Sequence, residues 1–492
     1  MFESAELGHE IDKATYAAAE PELRSALLKA QYELAENKRF AVVILINGVD
    51  GAGKGETVNR LNEWMDPRHI QTRAFDEPTA EEADRPALFR YWNVLPPKGK
   101  IGIFFGSWYT APIVGRTMGT QKEAAWTKAL NDIVMFERML TNEGVLLLKF
   151  WFHLAKKAQK KRLHKLEEDR RTRWRVTATE WKNFKRYDAF KETCEEALRA
   201  TSVGAAPWIV VEGADERYRS LTVGNALSTA MRRRLDLGDA RPLTLDVAPL
   251  APPVDKLHIL DTLDLTQATP KKEYERKLDE LQGRLALLTR EPAFARRRTI
   301  AVFEGVDAAG KGGAIRRSVG GLDARHYTIV PIAAPTDEER AQPYMWRFWR
   351  HIPRRGHLTI FDRSWYGRVL VERVEGFCAE GDFMRAYSEI NDFEAQLAEN
   401  GTTILKFWMQ ISKEEQLRRF EERQSIEFKR FKLGPEDWRN REKWELYEEA
   451  VSDMVDRTST AVAPWTLVEA NDKYFARLKV LRTLCDRIEE AM

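Results

Sequence analysis

Short apolar runs alternate with helix-length amphipathic segments along most of the chain. The apolar runs cover Phe40–Ile46, Ile101–Phe105, Val145–Phe152 and Trp208–Val211 in the first half, and Thr299–Phe303, Leu358–Phe361, Thr402–Met409 and Trp465–Val468 in the second half. Such runs, spaced by helices, are typical of parallel strands that are buried on both faces. We therefore predict an α/β protein, with two tandem three-layer αβα domains built on mostly parallel sheets.

Each half opens with a predicted amphipathic helix. In the first half, Leu23, Leu27, Leu28 and Leu34 form its apolar stripe, and Pro21 is predicted to lie near the helix start. In the second half the corresponding helix is Lys271–Leu288.

The two halves repeat one another at a constant shift of 257 positions. The segment Val49–Gly55 (VDGAGKG) returns as Val306–Gly312 (VDAAGKG), and Ser107-Trp108-Tyr109 returns as Ser364-Trp365-Tyr366. No gap is needed from this segment almost to the C-terminus, so the chain arose by duplication and fusion. Between the copies, Asp236–Thr269 contains Pro242, Pro249, Pro252 and Pro253 and lacks periodicity. We predict a first copy at 1–235, a linker at 236–269 and a second copy at 270–492.

The repeated motif is a phosphate-binding loop of the Walker A kind. The segment from Gly305 to Lys311 fits GxxxxGK and stands between a predicted strand and a predicted helix. Its backbone N–H groups and the helix N-terminus favour a phosphate, which Lys311 would contact. We assign phosphate binding to the loop positions Gly305, Ala308, Ala309, Gly310 and Gly312. A glycine-rich turn with a solvated lysine is the alternative interpretation.

A metal ligand is expected within this loop. The position after Lys311 is Gly312, where a serine or threonine usually holds Mg²⁺. Asp307 is the natural replacement, because a carboxylate is a hard oxygen ligand suited to Mg²⁺, with Mn²⁺ as an alternative. Asp307 could also orient an acceptor, or could simply cap the turn.

A second motif places charged groups at the end of an apolar strand. Asp362 follows the strand as in a Walker B motif, and Arg363 could neutralise charge on a transferring phosphoryl group. An Asp–Arg ion pair without a ligand is the alternative. In the first copy, Asp50 and Lys54 are retained, but the equivalents of Asp362 and Arg363 are Phe105 and Gly106. We therefore predict that the first copy is catalytically degenerate and that Asp307, Lys311, Asp362 and Arg363 are the catalytic residues.

A basic segment follows the Lys-Phe-Trp strand of each copy. In Lys413–Lys432, helical spacing places Arg419, Arg423 and Arg430 on one face, as in a helical lid that closes over phosphates. The interspersed glutamates also allow a plain solvated helix. The matching first-copy segment, Lys156–Arg175, has ten basic and three acidic residues, against seven and five in the second copy. A polyanion-docking role for Lys156, Lys160, Arg170 and Arg171 is the resulting hypothesis.

These motifs together resemble the polyphosphate kinase 2 family. The resemblance rests on Glu304–Gly313, Phe361–Tyr366, Trp438–Trp444 and Arg457–Thr460, and it covers both copies. It implies that inorganic polyphosphate donates its terminal phosphate to a nucleotide with Mg²⁺, and that a fused two-domain member converts AMP to ADP. It also implies that the family's loop aspartate and lysine correspond to Asp307 and Lys311. By the same resemblance, its Walker B pair corresponds to Asp362 and Arg363, and its lid arginine to Arg423.

Other functions remain open on the sequence alone. They are a polyphosphate-dependent nucleoside diphosphate kinase (ADP or GDP to ATP or GTP), an ATP-dependent nucleotide kinase, and a non-enzymatic nucleotide or polyphosphate binder. Nucleic-acid binding is disfavoured, because 79 basic and 76 acidic residues leave a net charge of only +3 and no recognised module is present.

Composition indicates a cytoplasmic protein. Hydrophobic residues make up 43% of 492 residues, enough for substantial cores. Cys194, Cys378 and Cys485 lie far apart and are expected to be reduced thiols. The acidic Met1–Glu10 has no apolar core of a signal peptide, and no apolar run is long enough to cross a membrane. The fused copies could imitate a dimer, which leaves further assembly into a homo-oligomer open.

Overall fold

The computed structural model describes residues 1–237, 258–431 and 433–492. The four prolines of the predicted linker and Lys432 therefore lie outside the described residues. Within the described ranges, no helix is long and apolar enough to cross a membrane.

The first copy is built on a parallel five-stranded sheet. Its strands are β1 (Val42–Gly48), β2 (Ile70–Ala74), β3 (Ile101–Phe105), β4 (Leu146–His153) and β5 (Trp208–Glu212), in the order β2-β3-β1-β4-β5. Its helices are α1 (Lys13–Asn37), α2 (Lys54–Trp64), α3 (Ala80–Ala83), α4 (Phe89–Trp92), α5 (Thr110–Thr117), α6 (Glu123–Asn142), α7 (Lys156–Glu168), α8 (Ala178–Phe184), α9 (Tyr187–Thr201) and α10 (Glu216–Asp236). The central strand β1 is buried almost throughout, and Ile46 pairs with both Phe105 and Phe150.

The second copy repeats this architecture. Its strands are β6 (Arg298–Gly305), β7 (Tyr327–Pro331), β8 (His357–Asp362), β9 (Thr402–Gln410) and β10 (Trp465–Glu469), in the order β7-β8-β6-β9-β10 and again parallel. Its helices are α11 (Lys271–Leu288), α12 (Lys311–Ser318), α13 (Asp337–Arg340), α14 (Trp346–Trp349), α15 (Val371–Glu375), α16 (Glu380–Glu399), α17 (Lys413–Ser425), α18 (Glu427–Arg430), α19 (Pro435–Glu442), α20 (Trp444–Thr458) and α21 (Lys473–Glu490).

Short 3₁₀ helices connect several of these elements. They span Glu3–Ala5, Pro67–His69 and Arg173–Arg175 in the first copy, Ile259–Thr262 after the undescribed segment, and Phe294–Arg296, Ala324–His326 and Trp365–Arg368 in the second copy. The predicted α/β class with two parallel sheets is confirmed.

The prediction omits two strands, and it gives the wrong start for one helix. The edge strands β2 and β7 carry mostly part-exposed or exposed residues, so they present no apolar run to recognise. The predicted helix Lys271–Leu288 is confirmed as α11. The prediction that Pro21 lies near a helix start is wrong, because α1 begins at Lys13, where the Asp12 side chain accepts hydrogen bonds from Ala14 and Thr15 N–H.

The chain forms two compact units that are not contiguous in sequence. The described residues of the first unit are 1–79, 87–237 and 335–346, and those of the second are 80–86, 258–334, 347–431 and 433–492. The segments 80–86 and 335–346 stand at equivalent positions of the two copies, so each copy contributes a short piece to the other unit. The predicted boundaries at 235 and 270 stay a prediction.

The repeated Ser-Trp-Tyr and Lys-Phe-Trp motifs form a buried polar network in each copy. In the second copy, Glu394 accepts hydrogen bonds from Trp365 Nε1 (3.0 Å), Tyr366 Oη (2.7 Å) and Lys406 Nζ (2.7 Å). In the first copy, Glu137 accepts the same three bonds at 3.0, 2.7 and 2.7 Å from Trp108, Tyr109 and Lys149. The lysine and glutamate side chains are fully buried in both networks. These motifs therefore serve the core.

The described cysteines are free thiols. Cys194 and Cys485 are buried and Cys378 is part-exposed. Burial raises the pKa of each thiol, which keeps it protonated and unreactive.

Candidate active site

The phosphate-binding loop of the second copy follows the central strand β6. Gly305 ends this strand at φ 148°, and a Cβ at this position would lie 2.4 Å from the Met409 carbonyl oxygen. Gly310 adopts φ 104° immediately before α12 begins at Lys311. Both conformations favour glycine, which explains the spacing of the motif. The helix N-terminus thus faces the space beyond the sheet where a phosphate would bind.

The loop is also stabilised from within. The Ala309 N–H donates to the Val306 carbonyl at 3.1 Å, so this predicted phosphate-binding group already has an acceptor. Ala308 adopts φ 66°, which is unusual for a residue with a side chain. Gly312 follows within the first turn of α12.

Lys311 lies at the centre of a cluster of charged groups. Its Nζ donates to the carbonyl oxygen of Gly305 at 2.5 Å. Burial lowers the pKa of Lys311, and the nearby carboxylates of Asp307, Asp362 and Glu304 oppose that shift. A partly desolvated ammonium beside a phosphate-binding loop is suited to an anionic ligand.

Asp307 connects the loop to three other elements. Its Oδ1 accepts from Arg363 at 3.3 Å and its Oδ2 accepts from Asn440 Nδ2 at 2.8 Å. Its backbone carbonyl accepts from Gln416 Nε2 at 3.1 Å. The structure therefore brings the two predicted motifs together, because Asp307 is in the first motif and Arg363 in the second.

Arg363 occupies a strained backbone position. It follows Asp362 at the end of β8, next to Phe303 of the central strand, and adopts φ 65°. A side chain in this left-handed region costs about 1–3 kcal/mol and occurs mainly where function requires it. The half-exposed guanidinium lies beside Asp307 and lines the cleft.

The three predicted lid arginines do not share one helical face. Arg419 and Arg423 lie on α17, which ends at Ser425, whereas Arg430 lies on the separate helix α18. Arg419 is directed at the loop itself, donating to the carbonyls of Ala308 (2.9 Å) and Ala309 (3.1 Å). Arg430 Nε donates to the Gln424 carbonyl at 2.7 Å. Arg423 stands in the last turn of α17.

Two residues that the sequence analysis did not assign also belong to the site. Glu304 is buried at the end of β6 and accepts from Ser364 Oγ at 2.8 Å, and burial raises its pKa. Asn440 holds Asp307 from α19. Glu304 directly precedes the glycine-rich motif and could have been noticed there. Asn440 is 133 positions from its partner, so only the fold reveals its role.

A cavity of about 90 Å³ adjoins these residues. Its lining combines Glu304, Asp307 and Arg363 with the aromatic side chains of Trp408, Trp444 and Tyr447. A lining that combines charged groups with aromatic surface suits a ligand with a phosphate and an apolar or ring-shaped part.

Comparisons with known proteins agree with this geometry. The family model for polyphosphate kinase 2 matches residues 10–236 and again 268–492. The chain belongs to the polyphosphate kinase 2 family. It is 57% identical over 491 residues to a polyphosphate:AMP phosphotransferase of Pseudomonas aeruginosa, covering 100% of this chain and 99% of that protein. It is 37% identical to a polyphosphate:AMP phosphotransferase of Acinetobacter johnsonii, covering 97% and 99%.

A solved structure extends the agreement to the fold. A crystal structure of a candidate polyphosphate kinase 2 from Pseudomonas aeruginosa superposes with a TM-score of 0.89 at 56% identity, covering 100% of this chain and 99% of that one. The predicted family is thereby confirmed, and the predicted tandem fold is the fold of this relative.

The first copy of this polyphosphate kinase 2 chain retains the loop but not the charges around it. Lys54 Nζ donates to the Gly48 carbonyl at 2.5 Å, and Asp50 accepts from Asn183 Nδ2 at 3.1 Å, as their second-copy counterparts do. Phe105 and Gly106 replace Asp362 and Arg363. Asn47 replaces Glu304, so a third charged group is missing, and Ser107 Oγ donates to its Oδ1 at 3.2 Å.

The basic segment of the first copy is partly neutralised by acidic neighbours. Lys156 pairs with Asp188, and Arg171 pairs with Asp169 at 3.2 Å. Lys160 and Arg170 are exposed. The hypothesis that this segment docks a polyanion stays a prediction.

The second copy offers oxygen ligands for a divalent cation. Within the described ranges, no group of three or more His, Cys, Asp or Glu side chains is arranged to hold a metal ion by itself. A Mg²⁺ ion in a phosphoryl-transfer site usually has only one or two protein carboxylates, because waters and substrate phosphates complete its shell. The carboxylates of Asp307 and Asp362 near Lys311 fit that requirement.

Proposed function

We propose that the second copy transfers the terminal phosphate of inorganic polyphosphate to AMP and so forms ADP. The observation that carries this proposal is the cluster of Asp307, Lys311 and Arg363 beside the phosphate-binding loop, which the first copy lacks in part. The relatives that match the whole chain bear the name polyphosphate:AMP phosphotransferase. Their full-length coverage supports the same donor and acceptor here.

The residues have separate roles in this reaction. The loop amides and Lys311 hold the phosphate oxygens of the donor, while an oxygen of the AMP phosphate attacks the terminal phosphorus in line. Arg363, half exposed at the cleft, supplies positive charge where it develops on the transferring group. Arg423, and Arg430 once it leaves the Gln424 carbonyl, would cover the phosphate chain. No covalent intermediate with a side chain is required.

Asp307 and Asp362 would hold Mg²⁺, with Mn²⁺ as an alternative. The bound ion would neutralise phosphate charge and thereby make the terminal phosphorus accessible to an anionic acceptor. Asn440 would fix the direction of the Asp307 carboxylate, since it donates to one of the two oxygens.

The donor and the acceptor are tested together. Purified protein is incubated with Mg²⁺, with AMP, ADP or GDP as acceptor, and with either polyphosphate or ATP as donor, and the products are separated by ion-exchange chromatography. ADP formation from AMP and polyphosphate is the expected result. ADP formed only with ATP would indicate an ordinary nucleotide kinase, and a preference for ADP or GDP would indicate a nucleoside diphosphate kinase.

A matched pair of variants assigns the reaction to one copy. Lys311→Ala is expected to abolish ADP formation, because it removes the ammonium from the intact charge cluster. Lys54→Ala makes the same change in the first copy and is expected still to form ADP. Loss of the reaction only in Lys54→Ala would assign catalysis to the first copy and contradict the proposal.

A further inference from the structure

The first copy has a larger cavity than the second, although it lacks three of the charged groups. Its cavity measures about 350 Å³, against about 90 Å³ in the second copy. A volume of this size lies in the range of small-molecule sites, which begins at about 300 Å³. The cavity is lined by four loop residues, by Phe105 and Gly106, and by further aromatic residues; the loop residues are Gly48, Val49, Asp50 and Lys54.

Three buried polar atoms in the wall of this cavity have no hydrogen-bond partner. They are Asn47 Nδ2, Trp151 Nε1 and Gln159 Oε1. The exposed fractions of these residues are 7%, 2% and 4%. Leaving a buried polar atom unpaired costs about 1–3 kcal/mol, so a ligand that pairs with these three atoms would gain from each hydrogen bond.

The equivalent positions of the second copy are satisfied internally. Glu304 stands at the position of Asn47 and accepts from Ser364. Trp408 Nε1 donates to Gln410 Oε1 at 2.8 Å, and Gln416 Oε1 accepts from Arg441 at 3.2 Å. The first copy has His153 and Phe184 where the second has Gln410 and Arg441, so neither internal partner exists. The unpaired atoms therefore accompany sequence differences between the copies at Asn47, His153 and Phe184.

The chemistry of the unpaired atoms restricts the ligand. Asn47 and Trp151 offer hydrogen-bond donors, whereas Gln159 offers an acceptor whose orientation is fixed because its Nε2 donates to the Asp50 carbonyl at 2.9 Å. The ionised internal phosphates of a polyphosphate chain carry only acceptors and cannot donate to Gln159. A nucleoside phosphate carries phosphate and ring acceptors together with hydroxyl or amino donors. Phe75, Tyr187 and Phe190 add aromatic surface for its base.

We propose that the first-copy cavity is a non-catalytic binding site for a nucleoside phosphate. The phosphate rests on the loop at the N-terminus of α2, and the nucleoside lies against the aromatic wall and the three unpaired atoms. Of the two carboxylates proposed to hold a cation in the second copy, the first copy keeps Asp50 but has Phe105 in place of Asp362, so we expect binding at this site without a divalent cation. The site is independent of the reaction assigned to the second copy.

The test measures AMP binding to the full-length chain in EDTA by equilibrium dialysis with radiolabelled AMP. Trp151→Phe removes the indole donor and keeps the aromatic ring, and Asn47→Asp replaces a donor with an anion. Each is expected to weaken AMP binding to one class of sites, the first-copy site, at least tenfold. Trp408→Phe is the equivalent change in the second copy. It is expected to leave AMP binding to the Trp151-sensitive class of sites unchanged. Thermal unfolding of each variant shows that it is folded.

Several results would overturn the proposal. They are no AMP binding to the wild-type chain in EDTA, equal binding by Trp151→Phe and wild type, and equal weakening by Trp408→Phe. Tripolyphosphate is run as a competitor. If it binds this class of sites more tightly than AMP and responds to Trp151→Phe in the same way, the nucleoside part of the proposal is wrong. ADP formation with Mg²⁺ is measured separately, so failure of the proposed reaction would be seen independently.

Discussion

The two copies differ in which residues of the repeated motifs they retain. Both retain the buried network in which a glutamate accepts from tryptophan, tyrosine and lysine, with matching distances. Only the second copy retains Glu304, Asp362 and Arg363, where the first has Asn47, Phe105 and Gly106. One continuous motif, Asp-Arg-Ser-Trp-Tyr, is therefore divided between two functions. Its Trp-Tyr half stabilises the core, and its Asp-Arg half carries charge at the cleft.

Backbone strain follows the same division. Arg363 and Ala308 adopt φ 65° and 66° in the second copy, whereas the first copy has Gly106 and Gly51 at φ 76° and 79°. Glycine adopts this conformation without a steric penalty. The copy with the complete charge cluster thus maintains strained residues, and the other copy has relaxed them. This difference supports a catalytic role for the second copy independently of the charges.

Among the exchanges between the two copies, Arg363→Gly should produce the largest effect, because it places the uncharged first-copy residue where the second copy has a positive charge. We expect kcat/KM for AMP to fall about 10³-fold, as for loss of a preorganised charge on a transferring phosphoryl group. The thermal unfolding midpoint should not fall, because glycine relieves the strain at φ 65°. Steady-state kinetics and calorimetry check both parts. A large loss of stability with activity retained would assign Arg363 to structure.

The reverse substitution is the control for this prediction. Gly106→Arg places a side chain at φ 76° without Asp362 or Glu304 beside it. It should lower the stability of the first unit by about 1–3 kcal/mol and leave the rate of ADP formation unchanged.

Glu394→Gln and Glu137→Gln should have equal effects, because the two buried networks are equivalent. Each leaves a fully buried lysine without its carboxylate, which costs about 3–5 kcal/mol. Calorimetry should show a lower unfolding temperature for the affected unit in both variants. Glu280→Gln, in an exposed pair with Arg276, is the control and should cause no measurable change. Unequal effects would show that the networks are not interchangeable.

The predictable part of the fold depended on burial. Eight of the strands are apolar runs because both faces of a parallel sheet are covered, whereas β2 and β7 are exposed edge strands without such a signal. The predicted start of α1 near Pro21 is wrong because the Asp12 side chain caps the helix at Lys13 and Pro21 lies inside it.

The site residues that could be predicted are those that a short sequence motif or the end of a strand defines. Gly305 and Lys311 are fixed by a seven-residue motif, and Asp362 by the end of a strand. Asn440 could not be assigned, because it contacts Asp307 only through tertiary packing. Arg419 was assigned to phosphate by helical spacing, yet it contacts loop carbonyls, since spacing does not determine which element faces the arginine.

Asn440→Ala tests whether a residue that only positions Asp307 contributes to the reaction. Loss of its hydrogen bond to Asp307 should lower kcat about 10–100-fold, as for other residues that orient a metal-binding carboxylate. The apparent affinity for Mg²⁺, from titration of the rate, should fall in parallel. Asn183→Ala removes the equivalent bond to Asp50 in the first copy and should alter neither quantity. A slower reaction with unchanged Mg²⁺ dependence would separate Asn440 from the metal.

The smallest effect should come from His153, which the second copy replaces with Gln410. His153 is buried, and burial lowers its pKa below the ordinary value near 6.5, although the hydrogen bond to Glu6 opposes the shift. The unfolded chain therefore binds a proton more readily than the folded chain. Stability from this residue is complete above about pH 6.5 and is lost as the pH falls from there through the folded pKa.

His153→Gln should remove this part of the pH dependence. Thermal unfolding between pH 5.5 and 7.5 is expected to show a smaller decrease at low pH in this variant than in the wild type. His164→Gln, which changes a half-exposed histidine of the same unit, is the control and should reproduce the wild-type slope. If His153→Gln also reproduced it, the folded chain would accommodate a protonated His153 as readily as the unfolded chain does. The stacking of His153 on Phe2 would then tolerate the charge, and this difference between the copies would have no consequence for stability.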